Sequence, residues 1–168
     1  AQPSKEYITK FYNRTLDVIN TYNPDLLYFD DTALPFYPID DAGLKIAAHF
    51  YNKSLKDHKG KMHAVVMGKV LTEPQKECML WDVERGAPDR AQEKPWQTCT
   101  CIGDWHYNRG VYDQNRYKSA ETVVKMLVDI VSKNGNLLLS VPVRGNGTID
   151  EKEKAILNDI AAWMDINK

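Results

Sequence analysis

Apolar positions along the chain switch repeatedly between helical spacing and short continuous runs. Tyr7, Ile8, Phe11, Tyr12, Leu16 and Ile19 recur at helical spacing behind Ser4, a good N-cap, until Asn23-Pro24 ends the pattern. Leu26-Leu27-Tyr28-Phe29 is a continuous apolar run bounded by Pro24 and by Asp30-Asp31, which predicts a buried strand ending in two carboxylates. Asp40 or Asp41 can cap a second helix carrying Leu44, Ala47, Ala48, Tyr51 and Leu55, ending near His58-Lys59-Gly60. Strands are predicted over 63–67, 79–83 and 96–102, separated by loops rich in Pro, Gly and charge. Ser119 opens a third helix with Val123, Val124, Leu127, Ile130 and Val131, and Asn134-Gly135 is its expected left-handed cap. A strand over 136–143 follows. Beyond the Gly145-Asn146-Gly147 turn, Asp150-x-x-Glu153 reads as a capping box before Ala155, Ile156, Ile160, Ala161, Trp163 and Met164.

Helices alternating with fully apolar strands predict an α/β fold, a parallel sheet covered by helices in a doubly wound or barrel arrangement. Chemistry in such folds sits at the C-terminal ends of the strands. The chain shows no internal repeat and no linker, so one domain is the simplest division. Its 168 residues are 43% hydrophobic, enough for a globular core. Twenty-two basic against 23 acidic side chains give a net charge of −1, which argues against nucleic acid or an anionic membrane as partner. The apolar stretches fall short of the ~20 residues of a membrane span, so a soluble protein is expected. Ala1-Gln2-Pro3-Ser4 carries no targeting features, and any such segment is expected to have been removed or never included.

Two strand ends draw a chemical reading. Tyr28-Phe29-Asp30-Asp31 and Leu80-Trp81-Asp82-Val83-Glu84-Arg85-Gly86 each carry carboxylates straight out of an apolar run, beside aromatic rings. A carboxylate pair, one ionised and one protonated, is the equipment of glycosidic cleavage. The same residues also suit a structural reading, with the aspartates turning the chain and Glu84 pairing with Arg85, and the pattern alone leaves both open. Trp81, Trp96, Trp105 and Tyr107 crowd the middle third, where rings can pack on a sugar face or on core neighbours. Cys99 and Cys101 share a strand face, but no Cys or His stands at zinc spacing elsewhere, so they are expected as buried small apolar groups and no metal is expected. Neither His49 nor His106 is a persuasive partner for a nucleophile, and Gly145-Asn146-Gly147 lacks the Lys of a phosphate loop.

Four blocks in order carry a specific resemblance: Asn23-Pro24-Asp25-Leu26-Leu27-Tyr28-Phe29-Asp30, Pro95-Trp96-Gln97-Thr98-Cys99, Asp104-Trp105-His106-Tyr107 and Ser132-Lys133-Asn134-Gly135-Asn136-Leu137-Leu138-Leu139. Together with Pro142, Gly145, Gly147-Thr148-Ile149 and Trp163, they resemble the α-L-fucosidases of glycoside hydrolase family 29 nearly end to end. The resemblance implies a (β/α)8-like, TIM-type barrel and hydrolysis of terminal α-L-fucose with retention, without a cofactor, on a fucosylated oligosaccharide or glycoconjugate. It puts Asp30 at the nucleophile position and Glu84 at the acid/base, with Asp82 as the alternative two residues earlier. Trp105 and Tyr107 would pack on the sugar and Trp96 would wall the pocket. Secreted or periplasmic placement is what bacterial members suggest.

The chain departs from the family at three points. Asp31 stands where many members have Gly, although strand alternation separates the two aspartates: Asp30 shares a face with Tyr28, Asp31 with Phe29. No Arg occurs around Met67-Gly68-Lys69, where some members direct one at the sugar. The resemblance covers the C-terminal half of the barrel, from about the fourth strand to the final helix. The family's N-terminal half, with its fucose-binding His pair and Trp, is expected to come from elsewhere, or else the chain is a non-catalytic sugar-binding half-barrel or a fragment. A retaining glycosidase for another sugar is the remaining alternative. Retention requires a carboxyl separation of about 5–5.5 Å.

Overall fold

The computed structural model describes residues 2–30 and 32–167. Asp31, named above as a competitor of Asp30, lies outside the described residues. The chain divides into two compact units, residues 1–82 and 83–168.

The first unit begins with α1 (Lys5–Tyr22), whose N-cap Ser4 accepts the Tyr7 N–H and whose end is turned by Asn23 at φ 48°. That left-handed residue reverses the chain into β1 (Leu26–Tyr28), which runs parallel to β2 (Val65–Gly68) with Leu26 opposite Val65 and Tyr28 opposite Met67. Between them α2 (Ala42–Asp57) supplies the crossover. Asp41 is its N-cap, but Asp40 holds the first turn, accepting the Ala42 N–H at 2.8 Å. β3 (Leu80–Glu84) starts in this unit, parallel to β2, with Gly68 opposite Trp81. Helices and strands close on one core of Ile19, Leu27, Ile46, Phe50, Val66 and Met79, all buried. Each of these large side chains contributes on the order of 1.5–3 kcal/mol by leaving water. Gly68 ends β2 because a Cβ there would stand 2.8 Å from the Ala33 carbonyl oxygen and from Leu71 and Met79. This close approach lets the next residue, Lys69, donate its N–H to the Thr32 carbonyl at 3.1 Å.

The second unit contains β4 (Trp96–Cys101), α3 (Arg109–Asp113), α4 (Ala120–Ser132), β5 (Gly135–Ser140) and α5 (Glu151–Asn167). β4 is buried throughout and parallel to β5, from Trp96 opposite Gly135 to Cys101 opposite Ser140. On its other side the end of β3 is tied to it by the Thr98 hydroxyl donating to the Val83 carbonyl and the Arg85 N–H donating to the Cys99 carbonyl. Ser119 caps α4 as expected, accepting the Thr122 N–H, and Val123 and Ile130 are its buried residues.

Several details differ from the sequence reading. Val131 and Leu138 are 57% and 46% exposed, so the apolar faces of α4 and β5 are only partly covered within this unit. The left-handed residue after α4 is Asn134 alone, at φ 66°. Gly135 serves another purpose, since a Cβ there would lie 2.5 Å from the Trp96 ring. The capping box is half made: Asp150 Oδ1 accepts the N–H groups of Lys152 and Glu153, while Glu153 has no hydrogen-bond partner for its own carboxyl among the described residues. α3 was not predicted. Its five residues are too few to show a period, and Asn108, which accepts the Gly110 and Val111 N–H groups, is its only signal.

Candidate active site

In the first unit the strand register builds a row of charges. Tyr28 is opposite Met67, so two residues on, past the end of β1, Asp30 comes level with Lys69. Gly68 is opposite Trp81, so Lys69 in turn is level with Asp82. The side chains follow that register. Lys69 Nζ lies 2.7 Å from Asp30 Oδ1 and 3.9 Å from Asp82 Oδ2. The Tyr28 hydroxyl donates to the same Asp82 oxygen at 2.7 Å, and its ring centroid is 5.9 Å from the ammonium. Burial grades sharply along the row: the Asp30 side chain is 66% exposed, that of Lys69 10% and that of Asp82 1%. The outer carboxylate can therefore meet a ligand, while the inner one is committed to protein partners.

Glu84, in the second unit, ends β3 as an exposed side chain. Its Oε2 accepts from the Cys99 thiol at 3.3 Å, and its Oε1 lies 3.7 Å from Arg85 Nε. Arg85 adopts φ 48° and sets its guanidinium 4.5 Å from the Trp105 ring centroid. Glu84, Arg85 and Trp105 thus form one patch, floored by the buried Cys99 and Cys101. Asp104 orders the loop that carries the indole. It accepts from the Asn108 side chain and the Trp105 N–H, and these bonds hold its carboxyl below the usual range.

The other predicted rings sit apart from this patch. Tyr107 faces Arg144, whose guanidinium lies 5.7 Å from the ring and pairs with Glu151 at 2.7 Å. The Tyr112 hydroxyl, donating to Glu151, and the Arg144 cation push that carboxyl down to about 2. Trp96 is at the N-terminal end of β4, five strand steps or roughly 16 Å from the end that carries Cys101. It is 1% exposed and donates its indole N–H to the Lys133 carbonyl at 2.8 Å. It locks β4 against β5 and the end of α4, and is not among the residues this unit gathers near Glu84.

Lys69 and Tyr28 were not singled out as site residues. The signal for Lys69 is its place directly after the apolar strand, at the point where the family resemblance points to an Arg. The described residues contain no group of three or more His, Cys, Asp and Glu that could hold a metal ion. Among them, no helix is long and apolar enough to cross a membrane.

A family model described as alpha-L-fucosidase matches residues 1–168. The plasma alpha-L-fucosidase of Homo sapiens is 27% identical over 172 residues, which cover 95% of this chain and 34% of that protein. Among solved structures, an alpha-L-fucosidase superposes with a TM-score of 0.76 at 29% identity, covering 96% of this chain and 34% of its own. The Thermotoga maritima alpha-fucosidase does so with a TM-score of 0.69 at 29% identity and the same two coverages. The chain therefore spans about a third of the length of the curated relatives it matches. The parallel strands and covering helices described above are the α/β fold of these proteins, as the hydrophobic pattern and the resemblance predicted. By its sequence and its fold, the chain belongs to the α-L-fucosidase family.

Proposed function

We propose that this chain carries the two reacting carboxylates of an enzyme that hydrolyses terminal α-L-fucose from fucosylated glycans with retention. The single observation that supports this best is Asp30 itself. It is an exposed carboxylate just past the C-terminal end of a parallel strand, paired at 2.7 Å with a lysine that is itself nearly buried. Asp30 attacks the anomeric carbon, and protonated Glu84 delivers its proton to the leaving oxygen. Glu84 then takes a proton from the water that releases fucose, and two inversions give retention. Arg85 and Trp105 offer the sugar a cation and an aromatic face beside Glu84. Tyr107 is the second ring proposed for the sugar, held in the separate Arg144 cluster.

The Thermotoga maritima relative, 28% identical, has been solved in complex with fucose and with a mechanism-based inhibitor, which supports both the sugar and a reactive nucleophile. Because the chain corresponds to about a third of its relatives, we read it as the C-terminal half of the catalytic barrel, with the remaining sugar contacts supplied by an N-terminal half. Secretion is the reading that the plasma relative favours.

The test is proton NMR of the first sugar released from aryl α-L-fucoside, run on the chain alone and on the chain combined with the N-terminal barrel half of a relative. α-Fucose appearing first, in either sample, is the expected result. β-Fucose first would overturn retention, and cleavage of a different aryl glycoside in place of the fucoside would overturn the sugar. Binding without cleavage in both samples would leave the non-catalytic reading in its place.

A further inference from the structure

Residues 103–117 of the second unit carry Trp105 and Tyr107, the two rings proposed for the sugar. The base of this segment is closed by Lys118, which donates its N–H to the Ile102 carbonyl at 2.9 Å. Its outer part is fastened to the N-terminus of α5. The Tyr117 hydroxyl donates to Asp150 at 2.8 Å, and the Tyr112 hydroxyl donates to Glu151. Lys152 Nζ donates to the Tyr112 carbonyl at 2.5 Å. Arg144, paired with Glu151 at 2.7 Å, lies 5.7 Å from the Tyr107 ring. Three consecutive residues, 150–152, thus hold the segment.

The next residue is Glu153, which is 1% exposed and has no hydrogen-bond partner for either carboxyl oxygen among the described residues. An ionised carboxylate so placed gives up its hydration and gains no donor in exchange. Its neighbours bring no relief. Asp150 is itself a buried anion, and Tyr117 has given its hydroxyl to Asp150. Lys152 is turned to the Tyr112 carbonyl, Lys118 to the Cys101 carbonyl, and Lys154 is exposed. On α4, which packs on α5, Glu121 pairs with Lys125 and Asp129 with Lys133. Burial, with the Asp150 charge adding to it, pushes the Glu153 carboxyl up to about 7, so it changes state near neutrality.

We infer that the first turn of α5 is a clamp that positions the segment carrying Trp105 and Tyr107, and that the proton on Glu153 keeps this clamp closed. Glu153 is a positioning residue: it acts through the anchors at Tyr112 and Tyr117. Above neutrality its proton goes to water, the buried charge is relieved when the turn lifts to meet solvent, and the bonds from residues 150–152 open with it. The closed form binds the extra proton between pH 4.5 and 7, so rising pH favours opening. The consequence for the sugar rests on the proposed roles of Trp105 and Tyr107.

The test is amide hydrogen exchange of residues 103–117 in the active enzyme carrying this chain, with wild type and Glu153→Gln compared at the same pH so that the intrinsic exchange rate cancels. The wild-type rate divided by that of the variant is expected to rise about tenfold between pH 6 and pH 8, as a carboxyl at about 7 when closed and 4.5 when open requires. Glu153→Met, equally uncharged, serves if the glutamine variant does not fold. Tyr112→Phe, which removes one anchor and leaves the carboxyl, is expected to speed exchange by the same few-fold factor at both pH values. A ratio that stays constant with pH, a rise shared equally by β4, or unchanged exchange in Tyr112→Phe would overturn the inference. Free α-L-fucose at about ten times its dissociation constant is expected to slow wild-type exchange at pH 8 about tenfold. A pH-dependent ratio without that slowing would fail the assignment of Trp105 and Tyr107 to the sugar and leave the clamp supported.

Discussion

Each unit of the molecule buries one aspartate under a tyrosine hydroxyl and sets a second carboxyl beside it. In the first, Tyr28 donates to Asp82 at 2.7 Å and Asp30 is the companion. In the second, Tyr117 donates to Asp150 at 2.8 Å and Glu153 is the companion. The decisive difference is the cation. Lys69 lies between the first pair, and its counterpart is absent from the ion pairs of Asp150 and Glu153 among the described residues. Glu153, 1% exposed, is therefore pushed up to about 7 by burial, with the Asp150 charge adding to it. Burial, followed by the bond to Asp150, raises the Tyr117 phenol. One lysine separates an ion-paired row from a pair in which burial and the neighbouring Asp150 raise Glu153 to about 7.

The strongest way to break this comparison is to remove the outer anion of the first pair. Asp30→Asn is expected to lower the rate of fucosyl transfer to the enzyme by about a thousandfold or more, read as adduct per minute with the fluorinated probe. Next in size, Lys69→Met turns the first pair into a copy of the second and leaves Asp82 buried without its cation. A loss of about 3 kcal/mol in urea unfolding is expected. An unchanged midpoint would mean that the row contributes nothing to the fold.

Glu153→Gln probes the other pair, and its effect depends on pH. A carboxyl raised from 4.5 to about 7 on folding binds more protons in the folded state between those values. Its stabilising contribution is thus complete below pH 4.5 and is lost as pH rises through 7. The glutamine variant should match the parent in unfolding free energy at pH 4 and exceed it at pH 8 by roughly 1–2 kcal/mol, measured by thermal melts. A gain that is equal at both pH values would show that the carboxyl is not the titrating group. Smallest of all, Tyr117→Phe is expected to cost about 1 kcal/mol by leaving Asp150 short of one donor, measured by the same melts.

The sequence reading succeeded where the physics is local. Ser4, Ser119 and Asp150 cap helices through bonds to N–H groups two or three residues away, so their spacing announces them. The apolar runs gave five parallel strands because period and bounding residues need no tertiary knowledge. Asp30 and Glu84 are legible in the sequence as carboxylates leaving such runs, and their roles are the proposal made above. Lys69 is not legible as the partner of Asp30 and Asp82, because positions 30, 69 and 82 share a row only after strand register has been set by the packing around Gly68. Trp96 and Gly135 misled for the same reason: a ring and a missing Cβ on neighbouring strands are one packing unit, and sequence distance hides that. The unpartnered Glu153 departs from a capping box whose spacing is right and whose second bond is not made.

The most direct measurement is peptide mapping of the chain after labelling with 2-deoxy-2-fluoro-α-L-fucosyl fluoride in the presence of the N-terminal barrel half. The account predicts one fucosyl ester per chain, on Asp30. An ester on Asp31 or any other residue, or no ester in a preparation that releases fucose, would contradict it.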